Sequence, residues 1–208
     1  MNIIITRALN MEFEEKDLAA KVFHGKKDKL LYILELSYKK YYNLLYNYGL
    51  KLTNDSELVQ DFIQEIFTKL CKRENIDNIS NIKIYLLRAM RNIIYDYYVA
   101  QKDIVSIDDM EFLIPDAEVF KTFFSKNDEE LQKYQTLLQT INSLPNQQKQ
   151  ILYLFYIKGL THKEISEVLD INPQSSMNSL AKSIRKLRIQ FGQISEKYRR
   201  IYFVNIRK

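Results

Sequence analysis

From Leu144 to Arg188 the apolar positions repeat at helical spacing in three short runs separated by turn residues. Ile151, Leu152, Leu154 and Phe155 form the first run, opened by Pro145 and stopped by Gly159. Proline suits the first helical position, where its missing N–H needs no partner, and glycine supplies a left-handed stop. The pattern predicts a helix ending at Lys158. Thr161 stands three residues before Glu164, the spacing at which each side chain satisfies an orphan N–H of a new helix, and Ile165, Val168 and Leu169 are its buried stripe. After a short turn at Asp170 and Ile171, Asn172 is a suitable N-cap and Pro173 a suitable first residue for a third helix. Two short helices joined this tightly must cross steeply.

On the third helix Met177, Leu180, Ala181, Ile184 and Leu187 are expected to face the core. Gln174, Ser175, Asn178, Ser179, Lys182 and Arg185 then point outward. That outward face is small and polar at its start and basic beyond. Short polar side chains can reach base edges while Lys and Arg hold phosphates, so the pattern points to double-stranded DNA. The alternative is a solvated face of a three-helix bundle.

Three longer helices are predicted upstream. The first runs from Lys27 to Leu50, with Leu30, Leu34, Tyr38, Tyr41, Leu45 and Tyr48 inward and Gly49 near its end. The second follows the cap cluster Asn54, Asp55, Ser56 and buries Val59, Phe62, Ile63, Ile66, Phe67 and Leu70. Its other face carries Glu57, Asp61, Gln64, Glu65 and Thr68 in one narrow stripe, which capping at the helix start does not explain. The third, Ile82 to about Val99, places Tyr85, Arg88, Arg91, Asn92, Tyr95 and Val99 on one side and Leu86, Ala89, Met90 and Ile93 on the other. Rings interleaved with guanidinium groups suit unpaired bases and their phosphates; the same tyrosines would also serve as edges of a core.

Composition narrows the class. With four Gly and three Pro in 208 residues an all-β fold lacks its turns, so the expectation is all-α, either as one large domain or as two small helical domains joined by a flexible linker. The net charge of +5 is unevenly spread, being +2 over residues 1–100, −5 over 101–135 and +8 over 136–208. The surplus sits on the expected DNA reader. Between the domains Asp103, Asp108, Asp109, Glu111, Asp116 and Glu118 surround Pro115, which reads as a tether. Cys71, the single cysteine, cannot form an intramolecular disulfide and is expected to be a buried small hydrophobe. The Ile3–Ile5 run is too short for a signal-peptide core and no apolar run reaches membrane-spanning length, so the expectation is a cytoplasmic protein. His24 and His162 lie far apart without metal-ligand spacing, Cys71 has no base, and glycine-rich phosphate loops are absent. Neither a metal nor another cofactor is expected, nor independent catalysis. A conventional transcription regulator with this C-terminal module stays open on these grounds.

The run DFIQEIFTKLCKRENIDNISNIKIYLLRAMRNIIYDYY, from Asp61 to Tyr98, resembles region 2 of bacterial sigma factors, and Ile141–Arg188 resembles region 4. With these two regions and a short connection, the chain is similar to the extracytoplasmic-function (ECF) group of the sigma-70 family, and NPQSSMN resembles the Bacteroidetes variety. The resemblance implies a region 2 domain at 25–99, a linker at 100–130 and a region 4 domain at 131–190, flanked by an N-terminal extension (1–24) and a basic tail (191–208). It implies binding of core RNA polymerase through Asp61, Gln64, Glu65, Ile66 and Phe67. Capture of a flipped base and the melted strand of the minus-ten element would fall to the loop from Lys72 to Asn81 and to Tyr85, Arg88, Arg91, Asn92 and Tyr95. The minus-thirty-five element would be read as duplex by Thr161, Gln174, Ser175, Asn178, Ser179, Lys182 and Arg185. It further implies an anti-sigma factor as partner of an otherwise monomeric protein, and a linker threading the polymerase active-site cleft. Where the family has a basic cluster after its aspartate, here Asp96, this chain has Val99, Ala100, Gln101, Lys102 and Asp103. Fewer phosphate contacts imply weak promoter binding by the protein alone.

Overall fold

A computed structural model describes residues 26–73, 79–101, 106, 109–114 and 128–191, with side chains placed at 27–73, 79–101, 106, 109–114 and 135–189. The regular structure among them is helical: α1 (Lys26–Thr53), α2 (Ser56–Cys71), α3 (Ile82–Gln101), α4 (Asp128–Asn142), α5 (Asn146–Leu152), a π-helical turn (Tyr153–Ile157), α6 (His162–Leu169) and α7 (Pro173–Phe191). The chain divides into two compact units between Asp103 and Ile104. The Ile3–Ile5 run, His24, the linker positions Asp103, Asp108, Pro115, Asp116 and Glu118, and the basic tail lie outside the described residues, as do residues 74–78 of the loop after α2.

In the first unit α1, α2 and α3 pack pairwise. α2 begins where Asn54 adopts a left-handed φ of 54° and the Asp55 carboxylate accepts the N–H groups of Glu57 and Leu58, both at 3.0 Å. This cap satisfies two of the donors that a helix start leaves open. Val59, Phe62, Ile63, Ile66, Phe67 and Leu70 are buried, as their spacing requires. α3 starts at Asn81, whose side chain accepts the N–H of Ile84 at 3.3 Å.

Gly49 does not stop α1, which continues to Thr53. A Cβ at this position would meet the two Val59 methyl groups at 2.8 and 2.9 Å, so the glycine allows α1 and α2 to cross closely. Gly49→Ala is therefore expected to destabilise the chain. Overpacking costs about 1–3 kcal/mol, and the better helix propensity of alanine returns at most about 1 kcal/mol. A lowered urea midpoint checks this; an unchanged one would mean that the crossing slides apart freely. Two inward assignments are corrected in this unit. Tyr38 is 38% exposed, its ring lying between Tyr42 and Phe67 at centroid distances of 5.3 and 5.1 Å. Cys71 is exposed, because it follows Gln64 and Thr68 at spacings of seven and three and continues their outer ridge.

In the second unit α4, α5 and α6 each pack on α7. Pro145 stands at the cap of α5, one residue before its expected place, and Lys149 N donates to its carbonyl at 3.0 Å. The expected single helix to Lys158 switches to π geometry at Tyr153, and Gly159 then turns at φ +67°. Met110 and Phe112 are 2% and 0% exposed, although both belong to the stretch expected to be a tether. The Phe112 ring meets Tyr153 at 5.5 Å and its backbone N–H donates to the Asn146 side chain at 3.3 Å. A buried ring and a closed backbone hydrogen bond make residues 110–112 part of the C-terminal core. Burial also pushes the Tyr153 hydroxyl well above the usual phenol range.

Candidate polymerase and nucleic-acid interfaces

The outer face of α2 is built by the same register that buries its apolar stripe. Asp61, Gln64, Glu65 and Thr68 are exposed one turn apart, with Glu57 preceding them. Ile66 and Phe67, grouped with these residues by motif, are 4% and 7% exposed, so they lock the helix onto its unit instead of presenting themselves. Glu65 pairs with Lys69 at 2.6 Å, both side chains being about half exposed or more. Such a pair contributes little in water, so the carboxylate can exchange partners at small cost.

On α3 the structure brings together Tyr85, Arg88, Asn92 and Tyr95, at spacings of three, four and three. Arg88 and Asn92 are exposed and the two rings partly so. Arg91 departs from the expected face: it is 4% exposed. It follows Leu87 by four and precedes Ile94 by three, both fully buried, so packing of α1 and α2 widens the buried arc until it includes this position. The stem of an arginine tolerates that setting where its head reaches polar groups. Arg73 lies in the loop expected to capture a base but was not singled out there, and its guanidinium lies 5.2 Å from the Tyr85 ring centroid. One face of that ring therefore already carries a cation. No local pattern could announce a contact between the end of α2 and the start of α3. Tyr97 packs edge-on against Phe62 at 5.5 Å and belongs to the core edge.

The helix-turn-helix geometry is held by local caps. Thr161 N–H donates to the Glu164 carboxylate at 2.8 Å, and Glu164 N–H donates to the Thr161 hydroxyl at 3.3 Å. The Thr161 hydroxyl also donates to that carboxylate at 2.9 Å, so this side chain, a candidate for DNA contact, is first of all a cap. α6 ends in a left-handed Asp170, and the Asn172 side chain accepts the N–H of Gln174 at 2.8 Å.

The register of α7 differs from the expected one. Its buried stripe is Ser176, Leu180, Ser183 and Leu187, while Met177 is 48% exposed and Ala181 is also exposed. The small serines let α7 approach its neighbours and reach their polar groups. His162 Nδ1 and Ser176 Oγ are 3.0 Å apart, and the imidazole stacks on Phe155 at 4.9 Å. The Ser183 hydroxyl lies 3.1 Å from the acceptor Gln148 Oε1, and Lys186 donates to the Ser143 carbonyl at 3.0 Å. Gln174, Ser175, Asn178, Lys182 and Arg185 are exposed and Ser179 partly so, which leaves the candidate base-reading face outward. Among the described residues no three His, Cys, Asp or Glu side chains converge as a metal site, and no helix is long and apolar enough to cross a membrane.

Comparison with known proteins bears on both units. Residues 37–104 match the family profile of Sigma-70 region 2, and residues 134–187 match that of Sigma-70, region 4. The ECF RNA polymerase sigma factor SigM of Bacillus subtilis (strain 168) is 26% identical over 156 residues, which span 75% of this chain and 93% of that protein. The RNA polymerase sigma factors SigZ and SigV of the same organism are 28% and 24% identical over 138 and 150 residues. These alignments cover 65% and 72% of this chain, and 73% and 83% of those proteins. With an exposed acidic stripe and an aromatic, basic helix in the region 2 match and a capped helix-turn-helix in the region 4 match, the chain belongs to the sigma-70 family as an ECF sigma factor directing promoter-specific transcription.

Proposed function

We propose that this sigma factor binds core RNA polymerase through the outer face of α2, with Asp61, Gln64 and Glu65 meeting a basic partner surface while Ile66 and Phe67 hold the helix in place. Electrostatic complementarity of that kind fixes register and speeds encounter. Tyr85, Arg88, Asn92 and Tyr95, with Arg73 behind the Tyr85 ring, hold the melted minus-ten strand; Arg91 supports them from within the unit. Gln174, Ser175, Asn178, Ser179, Lys182 and Arg185 read the minus-thirty-five duplex. The protein is cytoplasmic and monomeric when free, and an anti-sigma factor restrains it. It carries no catalytic group of its own, since the chemistry of transcription belongs to the polymerase.

The observation that carries this reading is the α2 stripe: Glu57, Asp61, Gln64 and Glu65 exposed along one face of a helix whose opposite face is buried. A protein that only bound operator DNA would have no use for it. Size-exclusion chromatography of the full chain with core polymerase tests the reading, and the expected outcome is co-elution. Absence of co-elution, together with tight duplex binding by the chain alone, would establish the conventional regulator instead.

A further inference from the structure

We infer that Gln174, Asn178 and Met177 form one composite reader of an A·T base pair at the start of α7. This inference rests on the sigma-factor reading and specifies which base pair this helix selects.

Gln174 and Asn178 lie one turn apart on the exposed face, and the Gln174 amide donates to the Asn178 carbonyl oxygen at 3.0 Å. That bond couples two flexible side chains into a single unit. It leaves Gln174 Oε1 as an acceptor and Asn178 Nδ2 as a donor. If both amides turn over, the couple persists with donor and acceptor exchanged, so in either state one of each faces outward. The major-groove edge of an A·T pair runs acceptor, donor, acceptor, methyl; a donor–acceptor couple in either order finds a match at adenine N6 with N7, or at N6 with thymine O4. A G·C edge runs acceptor, acceptor, donor and offers such a couple a single register, at guanine O6 with cytosine N4, so the amides favour A·T by register alone and the decisive discrimination falls to the thymine methyl group.

An independent observation comes from Met177, which is 48% exposed between the two amides in sequence, where a core position was expected. Exposed Ala181 follows it by one turn. A solvent-facing thioether beside an amide couple offers an apolar contact to a thymine methyl group, the one apolar feature of the major groove. The buried stripe of Ser176, Leu180 and Ser183 holds α7 against the unit, so Met177 is not required by the core. Coupling before binding also reduces the rotamer entropy lost on contact with a base.

The test uses holoenzyme assembled from core polymerase and the full chain, and a promoter library randomised over the upstream duplex and the minus-ten region. Transcribed members are recovered and sequenced. The expected result is an upstream A·T pair whose preference disappears in Gln174→Ala and in Asn178→Ala at the same position. In the recovered promoter, 7-deazaadenine or purine at that adenine lowers wild-type binding roughly tenfold and leaves the two variants unaffected. Uracil in place of thymine at that pair, or at the pair beside it, weakens the wild type and not Met177→Ala. Relaxation at two different positions in the two variants, a G·C pair at the shared position, or minus-ten preferences without upstream ones would each overturn the composite reader alone. Absence of any promoter-dependent transcript would instead bring down the sigma-factor reading on which it rests. All three side chains are exposed, so unchanged melting curves separate a loss of readout from a loss of fold.

Discussion

Replacing Asp61 and Glu65 together by alanine is expected to weaken binding of core RNA polymerase by roughly a hundredfold or more, with the fold intact. Both residues are exposed on α2 while the six apolar residues opposite are buried, so the substitution removes charge without opening the core. Truncating one member of a desolvated interfacial charge pair costs about 2–5 kcal/mol. Even the lower end of that range, applied at two positions, exceeds the stated loss.

Glu65 starts from a bond to Lys69 at 2.6 Å, which must open if another cation is to take the carboxylate. Exposed pairs at this spacing contribute about 0.3–0.5 kcal/mol, too little to oppose docking. Lys69→Ala should accordingly leave affinity within a few-fold of wild type. The double variant should also bind with a shallower salt dependence, because screening acts on the charges that it lacks. Analytical ultracentrifugation or fluorescence titration against core polymerase checks both outcomes. Wild-type affinity in the double variant would transfer the docking role to another face of the unit.

The second large effect is expected at Phe112. Phe112→Ala should lower the stability of the C-terminal unit by about 3–5 kcal/mol, the usual cost of removing a buried aromatic ring. The ring is fully buried against Tyr153, and the backbone N–H of the same residue closes the Asn146 side chain, so the site has little freedom to collapse around the void. Hydrogen exchange measured on the full chain should show amides of α5 and α7 losing protection while those of α2 and α3 keep theirs. A change below about 1 kcal/mol would mean that residues 110–112 rest on the surface and the whole stretch serves as a tether. The anchored reading also implies that the second unit includes Met110–Phe112, ahead of α4.

The α2 stripe, the caps at Asp55 and Thr161 and the polar face of α7 were legible in the sequence because each depends on neighbours three or four residues away. A carboxylate two residues before an N–H, or an apolar residue every third or fourth position, carries its partner within the same turn. Phe62 and Leu70 needed no knowledge of what covers them, only that something would. Several of the assignments that changed depend on which other element arrives. Arg91 sits on the side that α3 was expected to leave open, and became interior because two helices share a wider arc of it than one stripe. Gly49 is punctuation in one dimension and a crossing point in three, since the Val59 methyl groups crowd the place a Cβ would take.

The same reasoning explains α7. Apolar character pointed to Met177 and Ala181 as core, whereas the structure buries Ser176 and Ser183, which lie 3.0 Å from His162 and 3.1 Å from Gln148. Small polar residues become interior where a neighbouring helix offers a hydrogen bond, a property of the pair and not of either sequence. Phe112 shows the same in a stretch without periodicity, where acidic neighbours masked a ring that needed Tyr153 to become core. By itself the sequence determined the helices other than α4 (Asp128–Asn142), the caps at Asp55, Thr161 and Asn172, and the two regions that place this chain in its family, because those follow from local spacing and residue order. Which residues on those helices are buried and which face solvent was decided by tertiary packing, because burial is set by the partner surface and not by the helix alone.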